Sequence, residues 1–332
     1  MKAVILTKYG PPEVLQVMEI RKPVPRDNEI LIKIYATHVN FADLLIRNFK
    51  SISPRKFNMP FIFWLIGKMY FGFRKPRVKI LGSEFAGEIE LVGKKVKRFK
   101  KGDHVFGYSG PNMGAYAEYL CITEKSIVSI KPCNMNHLEA YTVPYGAIMA
   151  LNLIRKINLQ PQQKVLVNGA SGGIGPAVVQ LAKYYGAQVT GVCGTQRLDF
   201  VKYLGADKVI DYTKEDFTIS DESYDYIIDI LGKSSFAACK RVLTFNGKCL
   251  YVSFKMNQIF QMLLTSMIGD KKVICVLSNE KPEDLIFIKE LIELGKFKTA
   301  IDKCFPLKQA AEAHRYVIQG HKKGNVVISV ID

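Results

Sequence analysis

One segment of the chain constrains the fold more than any other: an apolar strand pattern that passes through a glycine-rich turn into a helical pattern. Lys164–Asn168 is typical of a buried strand, and Ile174–Tyr185 has the apolar spacing of a helix. Ala170, Gly172 and Gly175 match the dinucleotide-binding pattern G-x-G-x-x-G, with alanine in first place. Gly172 lets the backbone approach a pyrophosphate, and Gly175 lets the helix pack closely on the strand. The sequence therefore predicts a nucleotide site at Ala170, Ser171, Gly172, Gly173, Ile174 and Gly175.

The turn lies in a region where strands alternate with helices. Strand patterns at 164–168, 188–192, 208–212, 224–231 and 248–253 are separated by helical patterns. Such alternation predicts βαβ units, and hence a doubly wound parallel sheet of the α/β class. By contrast, roughly the first 125 residues show the short strands and turns of a compact β-barrel-like domain. At about 150 residues per domain, a chain of 332 residues is expected to hold two domains.

The end of the second predicted strand indicates which dinucleotide is preferred. Sites for NAD place Asp or Glu there, because a carboxylate holds the ribose 2′-hydroxyl. This chain has Cys193-Gly194-Thr195-Gln196-Arg197, which supplies a hydroxyl and a guanidinium but no acid. A 2′-phosphate favours such a pair, so we expect NADPH rather than NADH, with Thr195 and Arg197 as ligands. The alternative interpretation is that Arg197 is a solvated residue in the first turn of the next helix.

Composition adds two expectations. The 47 Lys and Arg exceed the 30 Asp and Glu, and a net charge of +17 indicates anionic partners such as phosphate-bearing ligands, nucleic acid or a membrane surface. The seven cysteines are scattered without a C-x-x-C pair, which is typical of a reducing compartment rather than of a zinc ribbon. The apolar run Ala3–Leu6 is shorter than a signal-peptide core of about 7–15 residues, so we expect a cytoplasmic protein.

Five further motifs accompany the glycine-rich turn. They are Val39–Asp43, Leu81–Gly87, Phe99–Gly107, Gly114–Tyr119 and Leu204–Tyr212. Over nearly its whole length, the chain therefore resembles the medium-chain dehydrogenase/reductase superfamily, specifically its zinc-free quinone oxidoreductase branch. The resemblance implies a GroES-like β-barrel catalytic domain of residues 1–125 and 283–332, interrupted by a Rossmann cofactor-binding domain of residues 126–282.

Two positions depart from the zinc alcohol dehydrogenases of the same superfamily. Those enzymes carry a Cys in the segment that matches Val39–Asp43 and Gly-His-Glu in the segment that matches 82–84. Asn40 and Ser83 stand at these places, and a four-cysteine zinc lobe has no counterpart. Catalytic zinc needs three protein ligands. Glu84 and the scattered histidines remain as donors in principle, but we expect no metal.

The resemblance also implies roles for single residues. Asn40 would lie near the nicotinamide and the substrate carbonyl, where an amide donor stabilises a developing enolate or phenolate oxygen. From the residues alone, Asn40 is equally consistent with a cap of a helix that begins near Phe41. Cofactor contacts are implied for Tyr212, Ser253 and Asn325. Met149 stands where many relatives have Thr, which leaves that contact to the nicotinamide open.

A basic, aromatic segment separates two of these motifs. Residues 44–83 contain no acid, and their cations are Arg47, Lys50, Arg55, Lys56, Lys68, Arg74, Lys75, Arg77 and Lys79. Aromatic residues are interleaved with them, including Phe61, Trp64 and Tyr70. We favour the wall of a hydrophobic substrate pocket. A buried helix in a lysine-rich chain, a membrane interface and a single-stranded nucleic-acid surface remain alternatives.

These observations lead to one expected function and one alternative. We expect an NADPH-dependent, zinc-independent reductase of quinones or α,β-unsaturated carbonyls, acting on a small hydrophobic substrate, and a homodimer as in many relatives. The alternative is a non-catalytic NADPH-binding protein that acts on RNA or on a membrane surface.

Overall fold

The computed structural model describes residues 1–320 and 322–330. Ile331 and Asp332, the last residues of the predicted segment 283–332, lie outside the described residues. The strands are β1 (Lys2–Leu6), β2 (Leu15–Glu19), β3 (Glu29–His38), β4 (Glu84–Val92), β5 (His104–Tyr108), β6 (Tyr119–Thr123), β7 (Ile127–Ile130), β8 (Lys164–Asn168), β9 (Gln188–Cys193), β10 (Lys208–Asp211), β11 (Tyr224–Asp229), β12 (Leu243–Tyr251), β13 (Lys272–Cys275), β14 (Ile301–Pro306) and β15 (Asn325–Ser329).

The helices lie between these strands, and short 3₁₀ turns join several elements. The α-helices are α1 (Phe41–Arg47), α2 (Phe61–Phe71), α3 (His137–Ala140), α4 (Pro144–Ile157), α5 (Gly175–Tyr184), α6 (Leu198–Tyr203), α7 (Phe236–Cys239), α8 (Met256–Met267), α9 (Pro282–Glu293) and α10 (Ala310–Ile318).

The middle of the chain forms a parallel sheet. Its six strands lie in the order β10-β9-β8-β11-β12-β13, and every pair of neighbours is parallel. The order reverses between β8 and β11, which is the topological switch point where ligands bind in doubly wound folds. This sheet confirms the predicted α/β architecture and places the glycine-rich turn at the carboxyl end of a central strand.

The two ends of the chain share a second sheet. Its seven strands include the order β14-β15-β3-β4-β5-β7, with β6 paired to β3. Strand β15 pairs antiparallel with β3, so the C-terminal segment returns to the first domain as the resemblance implies. Strand β7 pairs with β5, so this sheet extends to Ile130, five residues beyond the predicted boundary at 125.

The two sheets share a hydrophobic core. Ala36, Phe106 and Val327 of the second sheet belong to the same buried cluster as Val165 and Ile228 of the parallel sheet. Helix α4 supplies most of the apolar surface that joins them, because it is buried on nearly all sides. Through α4, this packing connects Glu84 of the second sheet to the glycine-rich turn of the parallel sheet.

Candidate cofactor and active site

The glycine-rich turn is closed on its protein side and open on the other. The backbone N–H groups of Gly169 and Ala170 donate to the Val192 carbonyl at 3.2 and 3.0 Å, which ties the turn to the end of β9. A Cβ at Gly175 would lie 2.2 Å from the Gly169 carbonyl oxygen, so no side chain fits there. A Cβ at Gly173 would meet nothing within 4 Å. The N-terminus of α5 is therefore accessible to an anion, and its dipole favours one.

Alanine at the first motif position has a structural explanation. Ala170 is fully buried, and its methyl group lies 3.1 Å from where a Cβ of Gly191 would be. The glycine in β9 thus provides the space that the methyl group of the turn occupies. Ser171 and Ile174 are also buried, each 8% exposed, and complete the predicted turn.

A cleft of about 800 Å³ opens from the turn along the carboxyl ends of β8, β9 and β11. Ser171 and Gly172 of the turn line it, as does Tyr212. Three cations, Arg197, Lys214 and Lys233, also line the cleft, together with two acids, Glu215 and Asp216. Its size and its position at the switch point suit a dinucleotide, and its cations suit phosphate groups.

The hydroxyl of Thr195 is already engaged within the protein. It donates to Asp211 Oδ2 at 2.6 Å, and the Thr213 N–H and hydroxyl donate to Asp211 Oδ1 at 3.0 and 2.7 Å. These hydrogen bonds, the one from Thr195 above all, hold the pKa of Asp211 below its ordinary value. The structure thus shows Thr195 as the partner of a carboxylate that the sequence analysis did not single out, and Thr195 itself does not line the cleft.

Arg197 crosses from the Rossmann sheet to the C-terminal segment. Its Nη1 lies 3.5 Å from Ser171 Oγ, and its Nη2 donates to the Gly320 carbonyl. The guanidinium of Arg197 thus contacts the protein at two points, and its role as a cofactor ligand stays a prediction. Lys322 is half-buried nearby, and burial, followed by the charge of Arg197, lowers the pKa of its ammonium group. The carboxylates of Asp302 and Glu84 act against that shift. Two neighbouring cations favour an anionic ligand.

Ser253 and Asn325 lie on different sides of the turn. Asn325 shares a small cavity of about 40 Å³ with Ser171, Gly172 and Gly173, and its backbone N–H donates to the Ala300 carbonyl at 2.8 Å. Ser253 lies beyond β12, with its carbonyl 2.1 Å from where a Cβ of Gly232 would be. Leu231 and Lys233, the neighbours of that glycine, line the large cleft. The structure thus places Asn325 beside the glycine-rich turn. Ser253 instead contacts the loop around Gly232, whose neighbours line the cleft.

A buried polar cluster, formed by His38, Asn40, Ser83, Glu84 and the backbone N–H of Tyr145, lies at the end of the second sheet. Glu84 is 1% exposed and pairs with His38 Nε2 through its Oε2. Its Oε1 accepts from the Tyr145 N–H at 2.8 Å. The side chain of Asn40 donates to Ser83 Oγ at 2.8 Å, and its Nδ2 lies 3.4 Å from Glu84 Oε2.

Asn40 also caps α1. Its Oδ1 accepts from the Asp43 N–H at 3.1 Å, and Asp43 Oδ2 accepts from the Asn40 N–H at 2.9 Å. This reciprocal pair is a capping box. Burial raises the pKa of Asp43 to about 6, although the N–H groups of Asn40 and Gly82 act against the shift. The cap is therefore present, while the amide nitrogen of Asn40 remains directed at Ser83 and Glu84.

Helix α4 joins the polar cluster to the glycine-rich turn. Tyr145 donates to Glu84, and a Cβ on the next residue, Gly146, would lie 2.6 Å from the Gly173 carbonyl oxygen. The ring of Tyr145 is 5.2 Å from that of Tyr108, and burial raises the pKa of Tyr145 to about 12. Sequence reasoning missed His38, Tyr145 and Gly146, because only their packing in the fold brings them to the site.

The donor atoms do not form an evident metal centre. Among residues 1–320 and 322–330, no group of three or more His, Cys, Asp or Glu side chains is placed to hold a metal ion. The oxygen atoms of Glu84 already accept hydrogen bonds from this cluster, and Asn40 and Ser83 bond to each other.

The aromatic segment lies away from both cavities beside the turn. No described residue of 49–79 lines either of them. The favoured interpretation of this segment as a pocket wall stays a prediction.

Comparison with known proteins identifies the class. Residues 26–132 match the model of the alcohol dehydrogenase GroES-like domain, and residues 204–328 match that of the zinc-binding dehydrogenases. A chloroplastic quinone oxidoreductase of Triphysaria versicolor is 33% identical over 99% of this chain and 98% of its own length. A mitochondrial NAD(P)H oxidoreductase of Bos taurus is 30% identical over 100% of this chain and 89% of its own.

A solved structure agrees with these relatives. The quinone oxidoreductase of Coxiella burnetii has a TM-score of 0.85 and 26% identity, and the match covers 100% of this chain and 99% of that one. The chain therefore belongs to the medium-chain dehydrogenase/reductase superfamily and is quinone oxidoreductase-like, which confirms the resemblance. It is accordingly an oxidoreductase with a site for a nicotinamide cofactor.

The described part of the chain contains no helix that is long and apolar enough to cross a bilayer. The cytoplasmic location stays a prediction, since the names of the two relatives above place them in a chloroplast and in a mitochondrion.

Proposed function

We propose that this protein is an NADPH-dependent, zinc-independent reductase of quinones or α,β-unsaturated carbonyls. The observation that carries the proposal is the continuity of the site: Tyr145 and Gly146 connect the buried polar cluster directly to the glycine-rich turn. NADPH supplies a hydride when it is bound. The residues of the chain hold the cofactor, orient the substrate and polarise its oxygen.

The turn and the cations of the cleft would bind the cofactor. The open face at Gly173 and the dipole of α5 suit the pyrophosphate. Arg197 and Lys322 would hold the 2′-phosphate, because a guanidinium and an ammonium group pair strongly with phosphate. Tyr212, with 64% of its surface exposed, would flank the adenosine in the cleft.

The polar cluster would act on the substrate. The amide of Asn40 would donate to the carbonyl oxygen of the substrate, and that donation strengthens as negative charge develops there. Solvent or a tyrosine would supply the proton. Zinc independence is supported by the residues themselves, since Glu84 is occupied by His38 and Tyr145 and no thiol or imidazole replaces Asn40 or Ser83. The homodimer stays a prediction.

The direct test is oxidation of NADPH by the purified chain against a panel of quinones, enones and aldehydes. We expect turnover with quinones or enones and none with simple aldehydes. Failure with every quinone and enone would refute the activity. Loss of turnover after chelation, with recovery on adding zinc, would refute zinc independence.

Cofactor preference tests the cation pair separately. Arg197→Gln should lower kcat/KM for NADPH by about tenfold to a hundredfold and leave NADH nearly unchanged, because it removes a charge-assisted bond to the 2′-phosphate. Lys322→Gln should act in the same direction. Lys323→Gln is the matched control, since Lys323 is exposed. Equal losses with both cofactors would contradict the assignment.

A further inference from the structure

Two helices present the same outward apolar pattern. Around α2 the exposed residues are Ile62, Ile66, Met69, Tyr70 and Phe73, and on α8 they are Met256, Phe260, Leu263, Leu264 and Met267. Both sets follow the spacing i, i+4, i+7, i+8 and i+11, which places the members within α2 and α8 on one side of each helix, while Phe73 follows the end of α2 at Gly72. All ten side chains are between 41% and 83% exposed. Soluble proteins normally bury such a stripe, so this one is expected to have a partner.

Charged residues are absent from these outward faces. Lys68 is the only charged residue of α2, and it points inward, where its Nζ donates to the Phe49 carbonyl at 2.7 Å. Helix α8 contains no charged residue. Its inner side packs on the protein core through Ile259 and Met262. Both helices therefore expose apolar side chains and no charged one.

The segments that precede the two helices are in contact, although they come from distant parts of the chain. Lys255, which precedes α8, donates to the Arg55 carbonyl at 3.0 Å. Met59, which precedes α2, packs against the same buried cluster as Ile259. We call the ten exposed side chains, together with Phe61 at the start of α2, the α2–α8 surface. It combines a helix of the catalytic domain with a helix of the Rossmann domain.

The two chain segments that carry this surface contain cations and no acids. Helix α2 lies within the acid-free segment 44–83, and α8 lies within a second acid-free segment, 230–269. Exposed cations flank both helices: Arg55, Lys56, Arg74, Lys75, Arg77 and Lys255. An apolar face with a cationic rim complements a layer of anionic headgroups over an apolar interior.

We propose that the α2–α8 surface docks on an anionic lipid bilayer, with its apolar stripes at the headgroup boundary and its cations on the lipid phosphates. A second copy of the chain fits less well, because a two-fold contact would bring two cationic rims together. Single-stranded nucleic acid fits less well because the α8 stripe is mostly aliphatic, whereas base stacking needs aromatic side chains.

Vesicle co-sedimentation of the full chain tests the proposal. The vesicles are phosphatidylcholine alone, and phosphatidylcholine with phosphatidylglycerol. We expect sedimentation with the anionic vesicles and little with the neutral ones, and a weaker but persistent association at high salt, because salt screens the cations but not the apolar contact. The readout is binding rather than turnover, so this proposal can fail while the proposed reductase activity stands. No sedimentation with anionic vesicles at low salt would overturn it.

Two pairs of variants locate the contact. Phe260→Glu with Leu264→Glu should weaken vesicle binding at least about tenfold, since it places charge on the apolar stripe. The control is Phe245→Glu with Ile219→Glu, whose side chains are 78% and 70% exposed elsewhere. Arg74→Glu with Lys75→Glu should also weaken binding about tenfold or more. Its control is Lys100→Glu with Lys101→Glu, which changes the net charge by the same amount. Lys100 and Lys101 precede β5, whereas Asn112, which bonds to Tyr70 of the α2–α8 surface, follows β5.

The same variants distinguish a lipid bilayer from the other two possible partners, a second copy of the chain and single-stranded nucleic acid. Each is compared with the parent chain by thermal melting, so that an unfolded variant is recognised and replaced by Phe260→Gln with Leu264→Gln. Equal losses in variants and controls would overturn the proposal. Sedimentation velocity that shows a dimer dissolved by Phe260→Glu with Leu264→Glu, without vesicle binding by the parent, would assign the surface to a second copy. The proposal would also be overturned if the parent chain bound a single-stranded oligonucleotide but no vesicles, and if the same variants, but not their controls, lost that oligonucleotide binding.

Discussion

The glycine-rich turn and the buried polar cluster are the two halves of one site, and they are built in opposite ways. The turn consists of consecutive residues, 169–175, and its shape depends on the absence of side chains at Gly175. The cluster takes side chains from β3, the start of α1 and β4, and a backbone N–H from α4. A local motif of this kind is sensitive to a single added atom, whereas an assembled cluster is sensitive to a single removed partner.

The largest expected effect comes from removing the shared partner of the cluster. Glu84→Ala leaves His38 Nε2 and the Tyr145 N–H without their buried acceptor, and leaves Asn40 with Ser83 alone. We expect the free energy of unfolding to fall by about 3–5 kcal/mol, which is typical when one member of a buried pair is removed. Urea denaturation measures it.

Two further variants sharpen that result. Glu84→Gln keeps an acceptor for Tyr145 and should lose less stability than Glu84→Ala. Glu90→Ala lies on the same strand but breaks a surface pair with Lys22, so it should cost about 1 kcal/mol or less. If Glu84→Ala were as mild as Glu90→Ala, the cluster would not hold the domains as described.

The next effect comes from adding one carbon to the turn. Gly175→Ala places a Cβ 2.2 Å from the Gly169 carbonyl oxygen, so the backbone must move. We expect a loss of about 3 kcal/mol in unfolding free energy, the upper range for overpacking, together with loss of NADPH binding. Thermal melting and fluorescence titration with NADPH measure the two quantities.

Gly173→Ala is the matched control for the turn. Its Cβ would meet no protein atom within 4 Å, so the unfolding free energy should change by no more than about 0.5 kcal/mol. Similar destabilisation by Gly175→Ala and Gly173→Ala would show that the steric room at each position does not decide the effect of an added Cβ.

The smallest effect concerns the outer layer of the cluster and depends on pH. Tyr116 joins the His38 carbonyl to His314, which is fully buried, and burial lowers the pKa of His314 to about 3. Between pH 6.5 and 3 the unfolded chain therefore binds a proton that the folded chain does not. Stability from this group is lost as the pH falls below about 6.5, by about 1.4 kcal/mol per pH unit.

Substitution of His314 should remove that pH dependence. His314→Phe should flatten the fall in unfolding free energy between pH 6.5 and 5 by about 2 kcal/mol relative to the parent chain. Lys308→Gln, an exposed change just before α10, should leave the slope unaltered. An unchanged slope in His314→Phe would mean that this histidine does not titrate as its burial implies.

Most of the fold could be predicted, because the signals are local. Strand and helix periods, the glycine spacing and the motif from Leu204 to Tyr212 are properties of consecutive residues, and they predicted the parallel sheet and the turn within it. The boundary near 125 was less exact, because the place of β7 depends on hydrogen bonds to β5, which the sequence does not reveal. Arg197 was predicted as a ligand, but its bond to Gly320 depends on the return of the C-terminal segment.

The sequence by itself determined the class of protein, the turn that suits a dinucleotide and the two acid-free segments, since each is a matter of residue type and spacing along the chain. The tertiary structure alone decided which buried groups meet at Glu84, how Gly146 reaches the turn, and that Lys255 before α8 bonds to Arg55 before α2 while both helices keep apolar side chains exposed. The physical reason is that these contacts join segments up to 200 residues apart. Packing of a common core, rather than any local preference, brings them together.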